Sequence, residues 1–130
     1  MRVVIQRVSH ASVTIDGNVK SKIGNGFLLL LGIEESDGEE DIDWLVKKVI
    51  NLRVFDDENG VMNKSIMEKG GEFLVISQFT LFASYKKGNR PSWFRAAKHE
   101  ISIPLYNQFC EKLALESKLN VRTGEFGADM

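Results

Sequence analysis

Cys110 is the only cysteine, which excludes an intrachain disulfide and fits a chain kept in a reducing compartment. Proline is equally scarce, with Pro91 and Pro104 the two in 130 residues. The histidines are His10 and His99, so a Ser-His-Asp triad would have to use one of them. Neither has a nucleophile motif beside it, and both read as surface histidines. A Gly-x-Ser-x-Gly elbow is missing, as is any Cys/His set at zinc-ligand spacing or a glycine-rich phosphate loop. No metal and no organic cofactor is expected. The net charge of −1 leaves no global basic field for coating nucleic acid, although a local basic patch could still dock one RNA end. Met1–Arg7 meets polar residues too early for the apolar core of a signal peptide. Phe27–Ile33 is too short to cross a bilayer. These absences point to a cytoplasmic protein with no membrane partner.

What is present is ordinary for a soluble domain: 43% hydrophobic and 27% charged residues. A chain of 130 residues is one domain by size and can bury its own core. Ala11, Val13 and Ile15 alternate with Ser12 and Thr14, the period of a half-buried strand. Asp16-Gly17 suits a two-residue hairpin turn, and Val19, Ser21 and Ile23 supply the return strand. Gly24-Asn25-Gly26 turns the chain again. Phe27–Leu31 then reads as a strand covered on both faces. Asp37 and Glu40 have capping-box spacing, ahead of helically spaced Ile42, Leu45, Val46, Val49 and Ile50. Arg53–Phe55 is a short strand closed by a turn over 56–60. Gly70-Gly71 precedes a buried strand, Phe73–Ile76. Tyr85–Pro91 is a basic loop. Ser102 is placed to cap a second helix, with Pro104 in its first turn and Leu105, Tyr106, Phe109, Cys110 and Leu113 on its apolar face. Residues 120–130 read as irregular. The expected fold class is α/β, a mostly antiparallel twisted sheet or barrel-like β core covered by two helices, because short early connections favour antiparallel pairing.

Chemistry concentrates where the Phe73–Ile76 strand runs out. Ser77, Gln78 and Thr80 put two hydroxyls and an amide beside a loop, where polar substrates can be oriented. Exposed backbone N–H groups there suit a developing oxyanion. The competing reading is that the hydroxyls only satisfy backbone groups at a strand end. Lys86, Lys87, Arg90, Arg95 and Lys98, interleaved with Tyr85, Trp93 and Phe94, are either phosphate contacts or a solvated charged loop.

Ser77-Gln78-Phe79-Thr80-Leu81 resembles the signature of the D-aminoacyl-tRNA deacylases. In the same order, Val4–Val8 with Ala11-Ser12-Val13 resembles the family's first hairpin, Gly26–Gly32 its next strand, Asn89-Arg90-Pro91-Ser92 its arginine-proline-serine loop, and Thr123–Met130 its C-terminal segment. The resemblance implies a homodimeric esterase that frees D-amino acids from tRNA without metal or cofactor, with glycyl-tRNA mischarged on tRNA(Ala) as a further substrate. It implies catalysis around Ser77, Gln78 and Thr80, assisted by the substrate's own ribose hydroxyl rather than by a threonine nucleophile, for which no adjacent base is evident. It implies that Phe79, Phe126, Ala128 and Met130 house the terminal adenosine, that Arg7 holds a chirality-reading motif, and that Lys86, Lys87, Arg90 and Arg95 meet tRNA. That motif is a cis Gly-Pro pair on a last strand, which in the family follows the equivalent of Ala128-Asp129-Met130. The expectation for these residues is one deacylase domain, 1–130, without that strand. Two alternatives stand beside this reading: a nucleic-acid-binding module of the same fold without catalysis, and a plain esterase using Thr80 as nucleophile.

Overall fold

The computed structural model describes every residue except Tyr85, Lys87, Gly127, Asp129 and Met130. Its central sheet contains β1 (Arg2–Val8), β4 (Gly26–Gly32), β7 (Glu72–Ser77) and β8 (Val121–Thr123), in the order β1-β4-β7-β8. The first pair is antiparallel, whereas β4–β7 and β7–β8 are parallel. Between β1 and β4 the chain makes a separate antiparallel ribbon, β2 (Ala11–Ile15) with β3 (Asn18–Ile23). A third ribbon pairs β5 (Phe55–Asp56) with β6 (Met62–Lys64), also antiparallel. The antiparallel expectation therefore holds for three pairings and fails at the centre of the sheet. There the helical crossovers let β7 and β8 return in parallel. Val4–Val8 and Ala11–Val13, read together as one hairpin, lie in different sheets.

Local sequence explains several of these elements. Asp16 and Gly17 have φ of 51° and 80°, as the two-residue turn between β2 and β3 requires. Gly26 is fixed by crowding: a Cβ there would lie 1.8 Å from the Glu72 carbonyl oxygen on the neighbouring strand. The period-2 alternation along β4 sends Phe27, Leu29 and Leu31 to one face, where they join Phe73 and Val75 from β7. Helices α1 (Glu39–Asn51) and α3 (His99–Ser117) cover that face with Ile42, Val46, Val49, Phe109 and Leu113. Each fully buried Phe or Leu contributes roughly 1.5–3 kcal/mol. On the other face Leu28, Leu30, Leu74 and Ile76 meet Val13 and Ile23 of the β2–β3 ribbon. The Ser21 hydroxyl ties the ribbon to the Thr123 carbonyl at 2.6 Å. β4 and β7 are thus covered on both sides, as their continuous apolar sequences required.

Both helix starts differ from expectation. The N-cap of α1 is Gly38, whose N–H is accepted by Asp41 at 2.9 Å. Asp37 instead binds the Met1 amino group at 2.6 Å and the Glu34 N–H at 2.8 Å. α3 begins at His99 with Lys98 as N-cap, so Ser102 lies inside the helix and is buried. The earlier start brings Ile101 onto the core, extending the apolar stripe by one turn. A short helix α2 (Ile66–Lys69), capped by Ser65 and closed at Gly70 with φ 69°, completes the set. β8 lies in the segment expected to be irregular, paired with Phe73–Val75. Among the described residues no helix is long and apolar enough to cross a membrane.

Candidate active site

β7 ends at Ser77, directly beside Leu31 of β4. The chain does not continue extended: Phe79–Phe82 closes into a single 3-10 turn. Gln78 anchors it, its N–H donating to the Leu31 carbonyl at 2.8 Å. Gly32 lets the turn approach, since a Cβ there would meet Phe82, Leu81 and the Gln78 carbonyl at 3.0–3.1 Å. The Gln78 side-chain amide donates to the Thr80 hydroxyl. Among the described residues, the N–H groups of Phe79 and Thr80 meet no backbone acceptor.

This strand end opens into a cavity of about 890 Å³. Ser77, Gln78 and Phe79 form one wall, and Leu28, Leu30 and Ile76 the apolar floor. Ser12 and Thr14 enter from the β2–β3 ribbon. Trp93, Ala97, His99 and Ser102 close the side toward α3, and Phe126 and Ala128 arrive from the C-terminal segment. Phe79 packs edge-to-face on Trp93 at 5.4 Å while remaining 56% exposed. Phe126 packs edge-to-face on both His99 and Tyr106, at 5.0 and 5.7 Å. Tyr106 is itself fixed by donating to the Val75 carbonyl at 2.6 Å. Burial pushes the Tyr106 phenol up and, beside it, the Cys110 thiol up to about 12. Both are neutral structural groups at ordinary pH.

Sequence-picked residues from three separate segments thus meet in one cavity: Ser77, Gln78, Phe79, Phe126 and Ala128. Thr80 stands behind that wall rather than on it, with its hydroxyl held by Gln78. Arg7 lies elsewhere, donating to the Val54 carbonyl at 2.5 Å and 3.8 Å from the Asp56 carboxylate. Ser84 and Ser92 bond to each other's backbone at 2.6 and 2.8 Å, closing a loop that leaves Lys86 and Arg90 exposed. Arg95 is already engaged, 2.8 Å from Glu34 and over the Phe82 ring. The Arg95 charge and a Ser36 hydrogen bond outweigh the desolvation of Glu34 and hold its carboxyl below the usual range. Lys87 and Met130 lie outside the described residues. Sequence reasoning missed Ser12, Thr14, Trp93, His99 and Ser102. The polar positions of β2 read as a solvent face, because nothing local shows that the ribbon folds back over the sheet. His99 is exposed yet lines the cavity, which a surface-histidine reading did not anticipate.

The sequence model of the family described as D-Tyr-tRNA(Tyr) deacylase matches residues 4–130. The chain belongs to the D-aminoacyl-tRNA deacylase family. A D-aminoacyl-tRNA deacylase of Bacteroides thetaiotaomicron is 69% identical over the whole chain, and one of Phocaeicola vulgatus is 71% identical. The chain spans 87% of the length of each of these deacylases. A solved structure described as c-Myc DNA Unwinding Element Binding Protein superimposes with a TM-score of 0.92 at 42% identity, covering 99% of this chain and 87% of that one. A structure described as a probable eukaryotic D-amino acid tRNA deacylase shares the fold, with a TM-score of 0.81 at 14% identity over 98% of this chain and 89% of its own. Deacylases of this family hydrolyse the ester of D-aminoacyl-tRNA, and the cavity at the end of β7 is where this member gathers its polar and aromatic side chains.

Proposed function

We propose that the chain hydrolyses the ester joining a D-amino acid to the terminal adenosine of tRNA, in the cavity at the end of β7. The carrying observation is the convergence of Ser77–Phe79 with Phe126 and Ala128, distant in sequence, around one space of about 890 Å³. Such a volume suits a small-molecule-sized group such as an aminoacyl-adenosine end. Water adds to the ester carbonyl, the C–O bond to the ribose breaks, and the ribose oxygen keeps a proton. The products are free D-amino acid and tRNA. The ribose hydroxyl beside the ester assists the proton transfers. The Phe79 and Thr80 N–H groups stand where a developing oxyanion can be held. Ser77 and Gln78 orient the ester, and Thr80 acts by fixing the Gln78 amide. Replacing Ala128 with Trp fills the cavity mouth. The expected result is an unchanged melting curve with turnover of D-tyrosyl-tRNA reduced at least about tenfold. Unchanged turnover would place the reaction elsewhere.

The chain is further proposed to act in the cytoplasm as a homodimer, with chirality read by a Gly-Pro segment following Met130 and held in part by Arg7. The exposed rings of Phe79, Trp93 and Phe94 support a second copy, because a contiguous apolar surface is what association covers. Light scattering at micromolar concentration should give twice the monomer mass, and a clean monomer would contradict it. Lys86, Lys87 and Arg90 are proposed to contact tRNA phosphates, with Arg95 bracing the loop. A second reading, a nucleic-acid-binding module without catalysis, is favoured by the description of the 42% identical neighbour. It requires D-aminoacyl-tRNA to be bound and left intact.

A further inference from the structure

Ser102 is the polar residue of the cavity that the reaction above does not use. It sits one turn inside α3, is 5% exposed, and lines the cavity. Its hydroxyl has no hydrogen-bond partner among the described residues. A buried hydroxyl left unpaired costs folding free energy, so its presence needs a compensating partner. The surroundings indicate what that partner is. His99 and Phe126 stand edge-to-face at 5.0 Å, and both line the same cavity. Ile33 and Ala97 complete this end with apolar surface. The nearby Arg95 is paired with Glu34, so the pocket has no free cation from that side to balance a buried anion. An aliphatic group would leave the hydroxyl unpaired. A flat heteroaromatic ring with donors and acceptors on its edge satisfies both demands.

We propose that Ser102 and His99 form a base-reading position for the terminal adenosine. The adenine ring lies against Phe126 and His99, and the Ser102 hydroxyl hydrogen-bonds its edge. This inference rests on the cavity receiving the tRNA 3′ end and adds two specificity residues to it. A serine hydroxyl both donates and accepts, so it can meet a ring nitrogen or the exocyclic amine. Binding then supplies the hydrogen bond that the empty cavity lacks, and the selectivity comes from leaving that hydroxyl unpaired with any other occupant.

The test compares wild-type protein with Ser102→Ala and His99→Ala, titrated calorimetrically with adenosine, purine riboside and uridine. Hydrolysis of D-tyrosyl-tRNA and thermal melting are measured in parallel. Ser102→Ala is expected to weaken adenosine binding and raise KM by about fivefold to tenfold, with kcat little changed. Its melting temperature should not fall, because the free protein loses no hydrogen bond. His99→Ala should weaken all three ligands together, since it removes ring contact rather than edge reading. Adenosine affinity and KM unchanged in Ser102→Ala would overturn the proposal and leave the hydroxyl to a trapped water. Equal binding of adenosine and uridine by the wild type would overturn it as well. Ser102-dependent adenosine binding without any ester hydrolysis would defeat the proposed function and leave this inference standing. Hydrolysis with KM indifferent to Ser102 would do the reverse.

Discussion

The Gln78 side-chain amide donates to the hydroxyl of Thr80, two residues further on, across the start of the 3-10 turn that ends β7. The hydroxyl that looked most like a nucleophile in the sequence is therefore a brace. It is turned from the cavity wall toward an amide that cannot serve as a base. Thr80→Ala should retain deacylation within about tenfold of wild type, with the loss arising from a freer Gln78. Thr80→Val, which keeps the shape and removes the hydroxyl, should behave alike. Single-turnover rates on D-tyrosyl-tRNA measure this. Abolished turnover with intact fold and tRNA binding would restore Thr80 as the nucleophile.

The loop closed by Ser84 and Ser92 exposes Lys86 and Arg90, whereas Arg95 is committed to Glu34 and Phe82. Charge reversal at Lys86 and Arg90 should weaken tRNA binding and lower its log–log salt slope by roughly 0.7–0.9 per lost phosphate contact. Arg95→Ala should leave the slope unchanged and lower the melting temperature modestly, since an exposed pair contributes about 0–1 kcal/mol. Filter binding over a salt series separates the two effects. An identical slope for all three variants would make the loop a solvated surface.

These two predictions show where sequence reasoning reached and where it stopped. Asp16-Gly17 was legible because the demand for positive φ is local, and the structure places both residues there. Phe27–Leu31 and Phe73–Ile76 were legible as doubly covered strands because their apolar runs are unbroken. Their parallel relation was not, since it depends on crossovers rather than on either segment. β8 has three residues, and Val121–Thr123 becomes a strand only by pairing with β7. Ser102 shows the limit for the site: a serine ahead of Pro104 reads as a cap, and only the fold shows it buried and facing a cavity. Ser77, Gln78 and Phe79 were found because chemistry at a strand end coincides with a family motif. Thr80 carried the same motif but faces Gln78.

Alkaline pH should unfold the protein through Tyr106 and Cys110. Burial raises both above their unfolded values, roughly 10 for a phenol and 8.5 for a thiol. The folded state therefore keeps protons that the unfolded state releases. The stability this gives is whole below the unfolded thiol value and is lost as pH rises toward about 12, the folded value of Cys110. Melting temperature should fall from about pH 9 upward, and Cys110→Ala should flatten the first part of that decline. At about pH 8 a thiol reagent should react only slowly with the native chain and rapidly after unfolding. Prompt native-state labelling would contradict the burial of Cys110.

The central claim is that the cavity at the end of β7 is a deacylase site whose chirality filter lies in the segment that follows it. The most direct measurement is the hydrolysis of matched D- and L-tyrosyl-tRNA by the 130-residue chain and by a chain extended through the family's Gly-Pro segment, with melting curves for both. A pocket walled by Ser77, Gln78 and Phe79 can hold an ester but has little to set against the wrong enantiomer, and discrimination needs an unfavourable contact with it. The account predicts that the extended chain cleaves the D-ester and spares the L-ester, while the 130-residue chain is slow or cleaves both. A stably folded 130-residue chain that cleaves the D-ester and spares the L-ester would contradict this account of the filter. A folded, extended chain that leaves both esters at their spontaneous rate would contradict the deacylase site itself.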